Sequence, residues 1–454
     1  MRRLLVLGSV FWVLIQLYLV SVKSFSGDEA SSLSLIKNSF IYIFNKNYIG
    51  DFNPPLYFIL LKFWVSISTN EYFVRSLGII LGLTFFWLVF ATFKRNNITI
   101  LILLVTSPVV SFSFFFLRSY GLLVVLTMAL YALYFSERFI LRKETKYFYV
   151  LLIVLAGSWT SYLFFVFEAF VFVSLLMRDK KCSFDIISFT AAGLFGFLSV
   201  FIFLIDDISI VSSIHQIAHV SLVKLLIYNL GSLVFSDFGL FPVVFYLLAF
   251  SLSCFFFLWK MKTVIGAFKN WRIYWPFIFI CCAVLFVSLS GVPRAQYLIV
   301  VLVPFQVLLY HLFQEKLRSL FIIVVLFQVF GLLSWITNRK EYFSSPVFGI
   351  DYRRYKFSFG GIENILVYPS YNKVIFEYYY GEDYNVSDVY SLRDKAVPNE
   401  LLVWKENFSI DNELPYLNNI MQIYSTNVHL EVFKDTSLTL GKSYNFGELL
   451  LLSK

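Results

Sequence analysis

Charge is what this sequence has least of. Asp, Glu, Lys and Arg make up 14% of its 454 residues, against about 25% in a soluble domain, which excludes an ordinary water-soluble enzyme. Cysteine numbers four. Cys254, Cys281 and Cys282 lie in apolar runs and Cys182 follows the basic run Arg178, Lys180, Lys181, so no disulfide framework or metal-binding spacing is present. Histidine is equally scarce: His215, His219, His311 and His429. The first two stand four apart, a spacing that can hold a metal, but no third ligand accompanies them and the stretch reads as an amphipathic surface helix. A single basic patch is also missing. The net charge of +9 is spread in small clusters between apolar runs, which excludes nucleic acid as a partner and fits the positive-inside rule of membrane proteins.

What is abundant is apolar surface: 59% of the residues are hydrophobic and 55 are Phe. Apolar runs of membrane-spanning length place about eleven spans, near 4–22, 76–93, 98–116, 120–136, 147–160, 162–177, 186–205, 238–258, 274–290, 296–313 and 319–337. The first run follows Arg2 and Arg3 and is long enough to be kept as a helix and not removed as a signal peptide. The clusters Arg2/Arg3, Lys94/Arg95, Arg138 to Lys146, Arg178 to Lys181, Lys260 to Arg272 and Lys316/Arg318 fall after every second span. All then face the cytoplasm. Counting "PPLYFILLKFWVSI", which starts at Pro54, as a span would invert every later cluster. It is read instead as a half-length helix at the outer membrane surface, with Pro in its first turn and a Leu/Phe/Trp face toward the interface. The first outer loop, 23–75, holds a second short amphipathic helix at Ser31 to Phe44, and another outer loop covers Asp206 to Asp237. Residues 338–454 are more polar and carry the strand-like runs "NILVYPS", "ELLVWKE", "LEVF" and "ELLLLSK", with helices near Tyr371 to Tyr380 and Tyr416 to Tyr424. The expectation is a polytopic α-helical membrane domain, 1–337, followed by a small α/β domain, 338–454, on the outer side.

The residues able to carry chemistry fall on that outer side. Asp28 and Glu29 come directly after the first span, in "FSGDEASS", and Asp51 precedes the surface helix in "GDFNPPL". Arg75 opens the second span, Arg118 lies between the third and fourth in "FFFLRSYGLL", and Arg294 lies between the ninth and tenth in "SGVPRAQYL". Each arginine could simply snorkel to lipid phosphate. Several of them together with a carboxylate suit a site that binds a phosphate and activates a nucleophile, since the guanidinium fork engages phosphate oxygens in pairs and stays charged. Glu168, inside a span, is a further candidate because intramembrane acids are functional candidates by default; the other reading is a pairing with a polar group of a neighbouring helix.

These segments resemble the GT-C membrane glycosyltransferases, in particular the bacterial relatives of the protein O-mannosyltransferases and of the lipid A aminoarabinose transferase. The resemblance rests on Asp28-Glu29 after the first span, "DFNPPLYF" heading the surface helix, "NEYFVRSLG" with Glu71 and Arg75, "FLRSYGLL" with Arg118 and Tyr120, and "RAQYLIVVLVP" with Arg294, Tyr297 and Pro304. It covers roughly residues 1–310 and, weakly, the C-terminal domain. In two places the sequence departs from the family pattern: Asn53 replaces the usual His before the Pro pair, and Phe116 stands where an acid often precedes the second-loop Arg. The second departure weakens a metal site built from two loops; no cofactor is assigned, and a divalent metal is left open.

The resemblance implies a transferase of the bacterial inner membrane. Its donor is a sugar on polyprenyl phosphate and its acceptor a glycan, lipid or protein hydroxyl attacked with inversion at the anomeric carbon. Asp28 is then the first choice for the base and Glu29 the second. Asp51, Arg75, Arg118, Tyr120, Arg294 and Tyr297 become the substrate-binding set. Two other readings use the same lipid-linked glycans: a transporter or flippase, which needs no long acidic first loop, and a polysaccharide polymerase or ligase, which usually places its largest loop late. The sequence does not distinguish among sugars or acceptors.

Overall fold

Pro108 interrupts the third apolar run and sets the shape of the helical core. The computed structural model describes residues 2–23, 25–45, 53–93, 97–136, 141–178, 184–214, 269–289, 299–314, most of 322–333, 363–368, 373–381, 385–388, 400–406, 426–435 and 444–453. The stretch expected to be one span, 98–116, is two helices: α6 (Asn97–Thr106) and α7 (Pro108–Phe115). Proline has no N–H to continue the ladder of α6 and its fixed φ suits a first helical turn. Ser107 caps the new helix, its Oγ accepting from Val110 N at 3.3 Å. The chain then turns by 117° into α8 (Tyr120–Phe135).

The remaining helices are α1 (Arg2–Val22), α2 (Gly27–Lys37), α3 (Phe40–Asn45), α4 (Leu56–Val65), α5 (Glu71–Thr92), α9 (Lys143–Ser158), α10 (Leu163–Arg178), α11 (Phe184–Ile214), α12 (Trp271–Leu289), α13 (Leu302–Gln314) and α14 (Lys373–Tyr380). Two depart from the sequence-based boundaries. The helix expected over Ser31 to Phe44 starts earlier and breaks at Asn38 and Ser39, because Ser39 Oγ accepts from Tyr42 N at 3.2 Å and starts α3. The span expected to end at 205 continues as helix through Asp206 and Asp207 to Ile214. Among the described residues, α5 and the Phe184–Phe201 part of α11 are long and apolar enough to cross a membrane, and the bent pair α7–α8 passes the same test together. The span expected at 238–258, the His215/His219 pair and the helix expected at Tyr416 to Tyr424 lie outside the described residues.

The chain divides into two units, one of Met1–Val20, Ile36–Phe238 and Pro242–Thr337, the other of Ser21–Leu35, Gly239–Phe241 and Asn338–Lys454. In the first, α8 is the central helix, packed on α5, α7, α9, α10 and α13. Small residues allow the closest approaches. A Cβ on Gly78 would overlap the Phe114 carbonyl oxygen, and one on Gly82 would overlap the Trp12 indole. Trp12 fills the space so made, 5.0 Å from the Phe86 ring and edge-on to Phe114 at 6.0 Å.

This helical unit has two chemically distinct ends. At one, Asp185 gathers the start of α9 and the end of α10: Lys146 Nζ lies 3.0 Å from Oδ1 and Arg178 Nη2 3.2 Å from Oδ2, while the Tyr147 hydroxyl donates to Oδ1 at 3.2 Å. Arg178 Nη1 also donates to the Tyr134 carbonyl in the last turn of α8, where a cation suits the helix dipole. Ser136, capping α8, donates to the Ala91 carbonyl in the last turn of α5. Two of the basic clusters read from the sequence therefore meet at one end. Arg75, Arg118 and the α9–α10 corner at Trp159 occupy the other.

In the second unit, β1 (Asn364–Tyr368), β2 (Asn385–Asp388), β3 (Glu400–Glu406), β4 (Thr426–Asp435) and β5 (Tyr444–Ser453) form one sheet in the order β2-β1-β3-β5-β4. β1 pairs in parallel with β2 and β3, and the other pairings are antiparallel. The crossover from β1 to its parallel neighbour β2 contains α14, as parallel pairing requires. Ile365, Leu366 and Val367 are fully buried, the continuous apolar run expected of a strand covered on both faces.

Candidate functional site

The described residues between α1 and α5 are folded into helices. Lys62 of α4 donates through Nζ to the Ile36 and Asn38 carbonyls at 2.6 and 2.7 Å, so it neutralises the carbonyl end of α2. Leu56 N, at the head of α4, donates to the Trp159 carbonyl at 3.0 Å. Trp64 stacks on Phe73 at 5.1 Å and donates to that residue's carbonyl. The half-length helix after the Pro pair is thus held at three points: the end of α2, the α9–α10 corner and the start of α5.

Arg75 is buried at 2% exposure. Its Nη1 donates to the Phe115 carbonyl at 2.9 Å, its Nε lies 3.4 Å from Glu71 Oε1, and its guanidinium sits 4.0 Å from the Phe115 ring centroid. These contacts join the first turn of α5 to the last turn of α7, just before the bend that carries Arg118. Within that bend Arg118 N donates to the Phe116 carbonyl at 2.8 Å, and the residue is half-buried. Tyr120, the first residue of α8, is buried in a stack: its ring lies 6.0 Å from Phe116 at 9°, and Phe116 lies 4.9 Å from Phe112 at 22°. The position where the family pattern often has an acid is therefore filled by the middle ring of an aromatic stack, which offers no oxygen to a cation. Among the described residues no group of three or more His, Cys, Asp or Glu side chains has metal-site geometry.

Asp28 and Glu29 belong to the second unit, in the first turn of α2. Glu29 is fully buried, and its Oε2 accepts from Ser26 N at 2.9 Å while its own N donates to Ser26 Oγ at 3.3 Å. This is a reciprocal capping box, which satisfies two backbone donors of the helix start. Asp28, beside it, is half-buried, and its carbonyl accepts from Ser32 Oγ. The residue before the cap is anchored as well: Phe25 N donates to the Tyr379 hydroxyl at 2.6 Å, and the Phe25 ring meets Tyr378 edge-on at 5.2 Å. Sequence reasoning missed Ser26, Tyr378 and Tyr379. The first was recognisable as S-x-x-E ahead of a helix; the tyrosines, more than 350 residues away, had no local signal. Asp51, Arg294 and Tyr297 lie outside the described residues.

Glu168 is buried on α10, and its Oε1 has no hydrogen-bond partner among the described residues. Its Oε2 faces Gly193 of α11, where an added Cβ would sit 3.4 Å away.

No protein-family model matches the sequence, and a search of curated proteins finds no match. Among solved structures, the chain is similar to the crystal structure of ArnT from Cupriavidus metallidurans in the apo state, with 11% identity, a TM-score of 0.56, and coverage of 98% of this chain and 97% of that chain. At that identity the likeness is one of fold: the chain shares the fold of ArnT over nearly the whole of both chains, in keeping with the resemblance that the first-loop motifs carry.

Proposed function

We propose that this protein is an inverting glycosyltransferase that moves a sugar from a polyprenyl-phosphate donor to an acceptor hydroxyl at the outer face of the membrane. The observation that carries the reading is the likeness to the ArnT fold over nearly the whole of both chains. The residue chemistry agrees with it. Asp28 is half-buried at the head of α2 beside an acid already committed to a helix cap. Arg118 lies at the end of the helical unit away from the Lys146–Asp185–Arg178 cluster.

In the reaction so read, the acceptor oxygen attacks the anomeric carbon from the face opposite the phosphate. The new carbon–oxygen bond forms as the bond to the phosphate oxygen breaks, and the leaving phosphate takes that electron pair. Asp28 accepts the hydroxyl proton, a step worth about 10²–10⁴-fold in rate. Arg118 and, by its sequence motif, Arg294 stabilise the charge gathering on the phosphate, and Tyr120 and Tyr297 belong to the same substrate-binding set. Arg75 acts at one remove, by fixing the end of α7 from which Arg118 projects. Asp51 joins the substrate-binding set on the sequence alone.

The reading is tested by incubating purified protein in detergent with the lipid-linked sugar pool extracted from its own host and with envelope acceptors from a deletion strain. Mass spectrometry should find a new glycosyl group on an envelope component and free polyprenyl phosphate released in equal amount. Lipid-linked sugar recovered intact, with no transfer to any acceptor fraction, contradicts it.

A further inference from the structure

Asp28 is carried by a segment that belongs to the sheet-bearing unit. Ser21–Leu35 falls with Asn338–Lys454 in the second unit. The capping box of Ser26 and Glu29 runs between residues three apart, so it shapes the start of α2 and fixes it to nothing else. Phe25, the residue before the cap, carries a tie across the unit. It is fully buried, and its amide donates to the Tyr379 hydroxyl at 2.6 Å, 354 residues away. Its ring meets Tyr378 edge-on at 5.2 Å and lies 6.5 Å from the Tyr379 ring. Tyr378 and Tyr379 stand edge-on to one another at 5.0 Å, so the three rings form one cluster.

The helix that bears the two tyrosines is itself fixed to the sheet. α14 packs on β1 and β2, with Phe376 buried. At its start Lys373 Nζ lies 3.4 Å from Asp388 Oδ2, in the last residue of β2. At its end Gly381 N donates to the Glu377 carbonyl at 3.0 Å, and a Cβ on Gly381 would overlap that oxygen, so glycine closes the helix directly after the tyrosines. The sheet thus holds α14, and the last turn of α14 holds Phe25. Only Ser26 and Gly27 separate Phe25 from Asp28, and both belong to the rigid start of α2. A shift at Phe25 carries Asp28 with it. A general base works only within about 2.6–3.2 Å of the proton it takes, and a misplacement of about 1 Å can cost about a hundredfold in rate.

We propose that Tyr379 is a positioning residue for Asp28, and that the C-terminal unit sets the rate of transfer through it. Tyr378 and Tyr379 hold Phe25, Phe25 fixes the head of α2, and α2 presents the carboxylate to the acceptor hydroxyl. The inference rests on the reading in which Asp28 takes the acceptor proton.

The test is a double-mutant cycle on the purified full-length protein, read as the rate of transfer from the host's lipid-linked sugar pool. Tyr379→Phe removes one oxygen and keeps the ring. In otherwise wild-type protein it should lower kcat by about tenfold, inside the range that misplacement of a catalytic group costs, with KM for the lipid-linked donor and the affinity for undecaprenyl phosphate unchanged. In the Asp28→Asn protein, which has no base left to place, the same substitution should change the residual rate by less than about twofold. Tyr378→Leu removes the edge contact with Phe25 and keeps the Tyr379 hydroxyl; it goes through the same cycle with the same expectation, and serves if Tyr379→Phe does not fold. An equal loss in both backgrounds overturns the proposal, because a contact that only stabilises the fold acts on both alike. So does an unchanged kcat, or a loss confined to KM. These results, with Asp28→Asn impaired, leave the base assignment standing. Wild-type transfer by Asp28→Asn overturns that assignment and this proposal with it.

Discussion

Glu29 and Ser26 cap one another: Oε2 of the acid accepts from the Ser26 amide at 2.9 Å, and Ser26 Oγ accepts from the Glu29 amide at 3.3 Å. A fully buried carboxylate held this way serves the helix start, and the proposed mechanism gives the acceptor proton to its neighbour Asp28. Glu29→Gln preserves the capping pattern, since Gln serves at this position too, and should keep transfer within a few-fold of wild type. Glu29→Ala removes the side-chain half of the cap and should cost about 0.5–2 kcal/mol, the range for a lost helix cap, read as a lower thermal midpoint in detergent. A Glu29→Gln protein with wild-type thermal stability and no transfer would make Glu29 the base.

Arg75 and Arg118, two arginines that look alike in the sequence, should respond differently to substitution. Arg75→Ala leaves the Phe115 carbonyl and Glu71 without the cation between them, a change costing roughly 3–5 kcal/mol when a buried charge partner is removed; it should appear first as lost thermal stability. Arg118→Lys keeps the charge and loses the fork. It should keep the thermal midpoint and weaken undecaprenyl phosphate binding, measured by titration on purified protein. If Arg118→Lys binds that lipid like wild type, the arginine is a lipid-snorkelling residue and the clamp must be sought elsewhere.

Gly78 is a packing position. A methyl group there meets the Phe114 carbonyl oxygen, a backbone atom fixed by the α7–α8 bend, and cannot be accommodated by a rotamer change. Gly78→Ala should lower stability by about 1–3 kcal/mol, the usual cost of overpacking, and should reduce activity through the displaced bend. A Gly78→Ala protein as stable as wild type would mean that α5 and α7 can separate at no cost.

Much of this was legible in the sequence, for identifiable reasons. The apolar runs around α5 and α8–α11 announce helices because their hydrophobic stretches are long and bounded by basic residues. β1 and β3 announce themselves through runs such as "NILVY" and "ELLVWKE". The break at Pro108 was signalled by the proline itself and missed, because hydropathy alone runs smoothly across it. The cap at Ser26 and Glu29 was legible as a motif but read as a pair of loop acids. The anchor between Phe25 and Tyr379 was not legible, because a contact spanning 354 residues leaves no periodic trace. Arg75 reads as a ligand because a charge in an apolar segment attracts that reading; its contacts with Glu71 and Phe115 become visible only when α5 and α7 are packed.

The orientation of the chain rests on the basic clusters, two of which the Lys146–Asp185–Arg178 pairing brings to one end. With that end in the cytoplasm, a reporter enzyme active only outside it should work when fused after Lys454. Activity from a cytoplasm-specific reporter at the same position would turn the topology over and move every proposed site residue to the wrong side.

The most direct measurement is the rate of sugar transfer by Asp28→Asn, beside its binding of undecaprenyl phosphate. The substitution keeps the size of the side chain and removes the base. Because Ser26 and Glu29 hold the helix start independently, the protein should stay folded and should bind the lipid as wild type does. Transfer from the host's lipid-linked sugar pool should fall by at least about a hundredfold, the lower bound of what a general base contributes. Transfer at the wild-type rate by a folded, lipid-binding Asp28→Asn protein would contradict the assignment of the catalytic base and, with it, the mechanism proposed for this fold.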